Sequence, residues 1–329
     1  MAPVSMPNRA FTVGWICALP TERAAAMTML DELYHEPQEQ HPADTNQYVL
    51  GRIKNHCVAI ACLPAGEYGL APAAAAAQQM LSSFPTIRFG LLVGIGGGIP
   101  GPDRDIRLGD IIISEPQGQL GGVVQYDRGK TFAHRFERTG FLNAPPRVLL
   151  NALNALKANH LLGQYRIPEF LQDISKNRPA ATAQFFAHPG RENDVLYEVT
   201  DGSSDGDGSG EVELPVQRPG RHNDDPVVHY GLIASGNQVI KDSRTRDRMK
   251  KELGNVLCFE MEAAGLMNAF PCLVIRGVSD YADYHKNDRW HGYAAATAAA
   301  AAKEVLYSVR AQELESTDTA SNAIGKPTS

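Results

Sequence analysis

Short apolar runs alternate with helical segments along this chain, and that alternation most narrows its fold. Phe11 to Ala18 is an apolar, β-rich run, and Thr21-Glu22 opens a helix through Leu33. A polar, proline-bearing loop from Tyr34 to Thr45 leads to a hairpin expected from Tyr48 to Ile53 and Val58 to Leu63. Ala71 to Phe84 reads as a helix built on alanine, the best helix former, and Phe89 to Gly94 as a buried strand. Asp110 to Ser114 and Gly121 to Tyr126 extend the sheet, Pro146 to Asn159 is a helix, and Val227 to Ala234 returns to strand. The last helix runs from about Ala294 to Leu314. Such alternation implies βαβ units and an α/β domain with a largely parallel sheet.

The most informative stretch lies near the C-terminus. Asn255 to Phe259 is a short apolar strand, Glu262 to Ala269 a helix and Pro271 to Arg276 a second strand. Glu260 and Glu262 therefore stand at the C-terminal end of one strand, and Asp280 just beyond the end of the next. In open α/β sheets ligands bind at that edge. Three acids beside buried runs must be paired or bind something, and Arg276 is the counter-charge at hand.

Domain limits and compartment follow from composition. The 329 residues, 43% hydrophobic and 21% charged, suit a globular domain over 11–314, with a flexible N-terminus (1–10) and a disordered tail or linker (315–329). The stretch 190–225 is crowded with Gly, Asp, Ser and Pro, notably from Asp201 to Gly210, and reads as a flexible insertion. A net charge of −6 argues against a nucleic-acid partner. No apolar run reaches the roughly 18 residues of a membrane span, and Met1 to Arg9 lacks a secretory pattern. The five cysteines (Cys17, Cys57, Cys62, Cys258, Cys272) read as reduced core residues of a cytosolic or nuclear protein, the cytoplasm being the expected compartment.

Several motifs need weighing. Gly96, Gly98 and Gly101 satisfy G-x-G-x-x-G, but a dinucleotide loop opens a helix, whereas Pro100, Pro102 and the charged Asp103 to Arg107 lead into another strand. Bare backbone there either approaches a sugar or anion closely or simply makes a tight turn. Pro64 to Gly69 precedes a helix, where an anion is favoured. Lys54, Arg104, Arg107, Arg128, Lys130, Arg276, Lys286 and Arg289 are the basic candidates for a phosphate, against a default of scattered surface charge. Tyr281, Tyr284, Trp290 and Tyr293 are candidates for stacking on a base, against a default of packing. His285 and His291 are not at metal spacing, so no metal is expected. No G-x-S-x-G elbow points to a serine hydrolase.

Together, Ile16 to Glu22, Val93 to Gly98, Leu108 to Ser114, Gly231 to Gly236, Phe259-Glu260-Met261-Glu262-Ala263 and Ser279-Asp280 resemble, in order, the purine nucleoside phosphorylase and nucleosidase superfamily. The likeness spans roughly Phe11 to Arg310 and is strongest to the fungal branch, whose domain often forms the N-terminal part of NOD-like receptors. The resemblance implies a three-layer α/β/α sandwich with a mixed, largely parallel sheet, no cofactor, and a homo-oligomer. It matches Asp280 to the residue that protonates or hydrogen-bonds purine N7, Glu262 to the acid holding the ribose hydroxyls, and Met261 to the residue against the sugar. Glu22 matches the acid that activates water in the nucleosidase branch. Glu260, Gly96, Gly97, Val239, Ile240 and Ser279 are expected to line the same pocket.

The chain departs from the phosphorylases at Leu92 and Ile95, which stand where an arginine and a serine would bind phosphate. Val239 stands where bacterial nucleosidases stack an aromatic on adenine. The expectation is hydrolysis of a purine nucleoside or nucleotide, with adenosine or ATP favoured. A phosphorylase, or a sensing or assembly domain of an immune receptor, are the alternatives. If the substrate is a triphosphate, Arg104, Arg107 and Lys130 are the expected contacts.

Overall fold

The computed structural model describes residues 4–101, 104–133, 135–201 and 211–324. Its main sheet runs from edge to edge as Val228–Gly231, Ile111–Ser114, Cys272–Asp280, Phe89–Gly98, Val13–Cys17, His56–Cys62, Tyr48–Ile53 and Glu32–Leu33. The four central strands, from Cys272–Asp280 to His56–Cys62, pair in parallel. Ile111–Ser114 and the terminal hairpin pair antiparallel, so the sheet is mixed.

Alternation of side chains divides the core in two, as a period-2 strand buried on both faces requires. Trp15, Ile60, Leu91 and Ile275 face the helices Pro20–Thr28, Arg147–Leu161, Ile167–Asn177 and His291–Ser308. Ile16, Ala59, Leu92 and Val274 face Leu70–Ser83 and Ala263–Leu266. The result is the three-layer α/β/α sandwich. The His291–Ser308 helix is buried nearly all round, and its alanines are what let it lie close to the sheet: a Cβ on Gly277 would sit 1.9 Å from the Ala294 carbonyl oxygen.

A third, smaller core lies beside the end of the Phe89–Gly98 strand. There Val123–Gln125, Ile233–Ser235 and Cys258–Glu260 form a parallel trio, and Cys258–Glu260 pairs antiparallel with Gly97 and Gly98. From this trio the Cys258–Glu260 strand lends Phe259 and Glu260 to the site described below.

Several expectations need correction. The glycine run is neither loop nor turn: Gly94 to Gly98 continue the strand, because Cys272–Asp280 pairs with them on one side and Cys258–Glu260 on the other. The first helix ends at Thr28, not Leu33, since Lys303 takes Asp31 at 2.7 Å and Arg52 takes Glu32 at 2.6 Å, drawing the chain into the sheet edge. Asp280 ends its strand rather than following it. The long terminal helix stops at Ser308 and a separate turn of helix follows at Ala311–Ser316.

The segment expected to be a flexible insertion is packed in its described parts. Arg221 pairs with the buried Asp110 at 2.6 Å, Arg218 with Asp194 at 3.0 Å, and Trp290 Nε1 donates to the Asn193 carbonyl at 3.2 Å. Polar composition hid these long-range ion pairs. Gly202 to Gly210, the most glycine-rich part, lies outside the described residues. The termini also have docked parts: Asn8 donates to the Ser83 carbonyl at 2.8 Å, and the buried Ala320 donates to the Ile87 carbonyl at 2.7 Å. Residues 1–3 and 325–329 lie outside the described residues.

Candidate active site

Three elements bring carboxylates to the C-terminal end of the central strands. Glu22 sits in the first turn of the Pro20–Thr28 helix, Glu260 and Glu262 follow the trio strand, and Asp280 ends its own strand. One pocket collects them, and its lining includes Gly96, Gly97, Val239, Ile240, Met261 and Ser279. Every residue expected to take part in catalysis or to hold the nucleoside therefore meets here. The expected phosphate contacts do not. Arg104 is exposed and donates to the Tyr230 carbonyl at 3.0 Å, Arg107 pairs with Asp105 at 2.8 Å, and Lys130 stands on an exposed hairpin, Gly129–Phe132. The basic side chains on the pocket wall are those of Arg276 and Lys286, with the His291 ring beside them.

Glu22 is 3% exposed yet fully satisfied. One oxygen accepts the amides of Ala18 and Leu19 at 2.7 and 2.9 Å, and the other accepts the Ile95 amide at 2.8 Å. Close approach of Glu22 and Arg276 explains Gly94, where a Cβ would lie 2.4 Å from both Arg276 Nη1 and Glu22 Oε1.

Arg276, 1% exposed, is the electrostatic centre. Its Nη2 lies 2.5 Å from Glu260 and 3.1 Å from Glu262. Glu260 Oε2 also accepts the amides of Glu262 and Ala263 at 3.0 Å, and Oε1 shares the Ala263 amide at 3.2 Å. Among the described residues, Glu262 accepts the Gly69 amide at 3.3 Å besides Arg276. Burial, opposed by Arg276 and reinforced by Glu260 and Glu22, pushes the Glu262 carboxyl up to about 7. Glu260 Oε2 thus anchors Arg276, while Glu262 makes fewer bonds to the protein.

At the other corner, Asp280 receives three donors: Ser279 Oγ at 2.8 Å, the Ala282 amide at 2.9 Å and Lys286 Nζ at 3.0 Å. So held, Asp280 lines the pocket. Gly97 clears its approach, since a Cβ there would lie 2.8 Å from Asp280 Oδ1.

The aromatic candidates fare differently. Tyr281, Trp290 and Tyr293 are buried outside this pocket, and Tyr284 is 81% exposed. Instead Phe259 and Tyr68 line it, with Gln238 beside Val239. Lys286, His291, Phe259 and Tyr68 were visible in the sequence without an assignment to the pocket. Closeness to Asp280 and to the Glu260-Met261-Glu262 run was the available signal for Lys286 and Phe259. Among the described residues no group of three His, Cys, Asp or Glu side chains could hold a metal, and no helix is long and apolar enough to cross a membrane.

A three-layer sandwich whose parallel strands end at a carboxylate-lined pocket beside a glycine strand defines the nucleoside phosphorylase and nucleosidase class of fold. A profile described as "Phosphorylase superfamily" matches residues 198–310 of the chain. It is 50% identical over 313 residues to a "Nucleotide-binding leucine-rich repeat (NLR)-like protein" of the fungus Hyaloscypha variabilis, covering 94% of this chain and 30% of that protein. A second relative, described as an ATP nucleosidase of Escherichia coli, is 35% identical over 78 residues, or 22% of this chain and 15% of its own length. The chain thus spans less than a third of either relative. The fold is shared with the 5'-methylthioadenosine/S-adenosylhomocysteine nucleosidase of Neisseria meningitidis, solved in complex with methylthio-immucillin-A. The TM-score is 0.55 at 18% identity, covering 90% of this chain and 99% of that one.

Proposed function

We propose that this pocket hydrolyses the N-glycosidic bond of a purine nucleoside or nucleotide, adenosine or ATP being the favoured substrates. The observation that carries the reading is that Glu22, Glu262 and Asp280, carried by three different elements, line one pocket. An acid for the attacking water, one for the sugar and one for the leaving base are thereby available around a single bound nucleoside.

In this reading water attacks C1 of the ribose and gives its proton to Glu22. The C1–N9 electrons pass into the purine, which takes at N7 a proton from a solvent water held beside Asp280 and Lys286. The proton on Glu22 returns to solvent, so that the net change is addition of one water across C1–N9. Ionised Glu262 accepts the ribose hydroxyls and, with Glu22, stabilises the ribosyl cation as charge develops. Phe259, Val239 and Ile240 offer apolar surface to the base.

Water is favoured over phosphate on electrostatic grounds. Leu92 and Ile95 have no anion-binding side chains, and the Ile95 amide is already taken by Glu22. A phosphate dianion there would face Glu22 and Glu262 with Arg276 already neutralised by two acids. The E. coli relative supports including the triphosphate among the substrates.

The test is to incubate the purified protein with adenosine, inosine, guanosine and ATP and identify the products by chromatography and mass. Free purine from at least one of them, lost by orders of magnitude in Asp280→Asn with the fold intact, is the expected result. No release from any would turn the reading toward a nucleotide-sensing or assembly domain, and undiminished release by Asp280→Asn would remove that residue from the reaction.

A further inference from the structure

Outside the pocket, a polar cluster ties the described parts of the 190–221 segment to the turn that carries Asp280. The Tyr281 hydroxyl donates to Asp194 Oδ1 and accepts from Arg218 Nη1 at 2.9 Å. Arg218 Nη2 closes the triangle with Asp194 Oδ1 at 3.0 Å, and the same guanidinium donates to the carbonyls of Asp194 and Ile106 at 2.9 and 3.4 Å. All three side chains are nearly buried, with Tyr281 at 2% exposure. Each group satisfies the others, so the cluster offers little to a ligand. Its action must be on what Tyr281 carries.

Tyr281 is gripped at its other end as well, where its carbonyl accepts from Arg246 Nη1 at 3.0 Å. Directly after Tyr281 comes a strained residue. Ala282 has φ of +52°, a left-handed conformation that alanine adopts only when its surroundings impose it. The Ala282 amide is the one that donates to Asp280 Oδ1. The strained turn and the carboxylate orientation are therefore a single unit. Further contacts hold the same loop: Tyr197 stacks on His285 with centroids 3.7 Å apart, and Glu213 meets His285 Nε2 at 2.6 Å, next to Lys286.

We infer that Asp194 and Arg218 are positioning residues which, through Tyr281, hold the Ala282 turn so that Asp280 Oδ1 stays aimed past Gly97 into the pocket. The inference rests on the reading of Asp280 as the leaving-group residue. It gives the 190–221 segment a role in the reaction without contact to substrate.

The test compares the full-length chain with Tyr281→Phe, Asp194→Asn, Arg218→Ala and Arg218→Lys. Tyr281→Phe keeps the buried ring, so it decides the matter if Arg218→Ala does not fold. Two quantities are read: kcat and KM for base release, and hydrogen exchange at the Ala282 amide. Tyr281→Phe is expected to lower kcat about tenfold to a hundredfold, the scale of a small misplacement of a reacting group, with KM within about twofold. Exchange at Ala282 should quicken while exchange at Ile95, bonded to Glu22, stays as in the wild type. Arg218→Lys should recover part of what Arg218→Ala loses. Wild-type exchange at Ala282 in Tyr281→Phe would overturn the inference, whatever happens to kcat. If the wild-type chain releases no base, the functional reading fails, and exchange at Ala282 alone decides the clamp.

Discussion

Glu22 Oε1 accepts the Ile95 amide at 2.8 Å, which sets a carboxylate against the glycine strand. The contact joins the first helix to that strand and fixes one end of the proposed reaction axis.

Glu22→Gln tests that end. The amide keeps the size of the side chain but cannot take a proton from water, so base release should fall about 10²- to 10⁴-fold, the usual worth of a general base. Steady-state rates by chromatography, with circular dichroism to confirm the fold, check this. A fall of less than tenfold would remove Glu22 as the base.

Glu262 ties activity and stability to pH in opposite directions. Its carboxyl is pushed up to about 7, chiefly by burial, from an ordinary value of 4.5. Between those values the folded chain holds a proton that the unfolded chain has released. Stability from this group is therefore complete below about 4.5 and is lost as pH rises through about 7. Accepting ribose hydroxyls needs the ionised form, so kcat/KM should rise over the same window. Glu262→Gln should flatten both slopes, as read by urea midpoints and by pH–rate profiles.

Arg276 carries the buried charge balance. Arg276→Met would leave Glu260 and Glu262 facing each other without a cation, at a cost of about 3–5 kcal/mol. Denaturant midpoints should show it. Adding Glu260→Gln should recover part of the loss, because the charge left unpaired is then smaller; strict additivity would contradict the coupling.

Gly97→Ala separates geometry from chemistry. Its Cβ would lie 2.8 Å from Asp280 Oδ1, so the carboxylate must turn aside. Turnover should drop at least tenfold while KM changes little, the signature of a displaced reacting group. An unchanged kcat would mean Asp280 has room to spare.

The sequence made the architecture and most of the pocket legible because both are written locally. The Glu260-Met261-Glu262 run, Ser279-Asp280 and Glu22 each sit at the junction of a strand and a turn or helix, and parallel strands carry such junctions to one edge. What escaped was written across distance. Arg104, Arg107 and Lys130 looked like a phosphate grip, but charge on an exposed surface says nothing of which way it faces, and two of them are held by the Tyr230 carbonyl and Asp105. Arg276 was expected as a counter-charge and proved to be one for both glutamates. The 190–225 segment read as flexible because its Asp and Arg residues look solvated until partners 60 or more residues away are known. Arg221 with Asp110 and Tyr281 with Asp194 are such pairs. The glycine run concealed a strand because its neighbours, and not its own propensity, keep it extended.

The most direct test follows oxygen. The chain is incubated with the purine substrate in ¹⁸O-labelled water, with and without inorganic phosphate, and the sugar product is weighed by mass spectrometry. The account predicts ¹⁸O at C1 of the released sugar, formed at the same rate whether or not phosphate is present. Base release that requires phosphate and yields ribose 1-phosphate without label would contradict it.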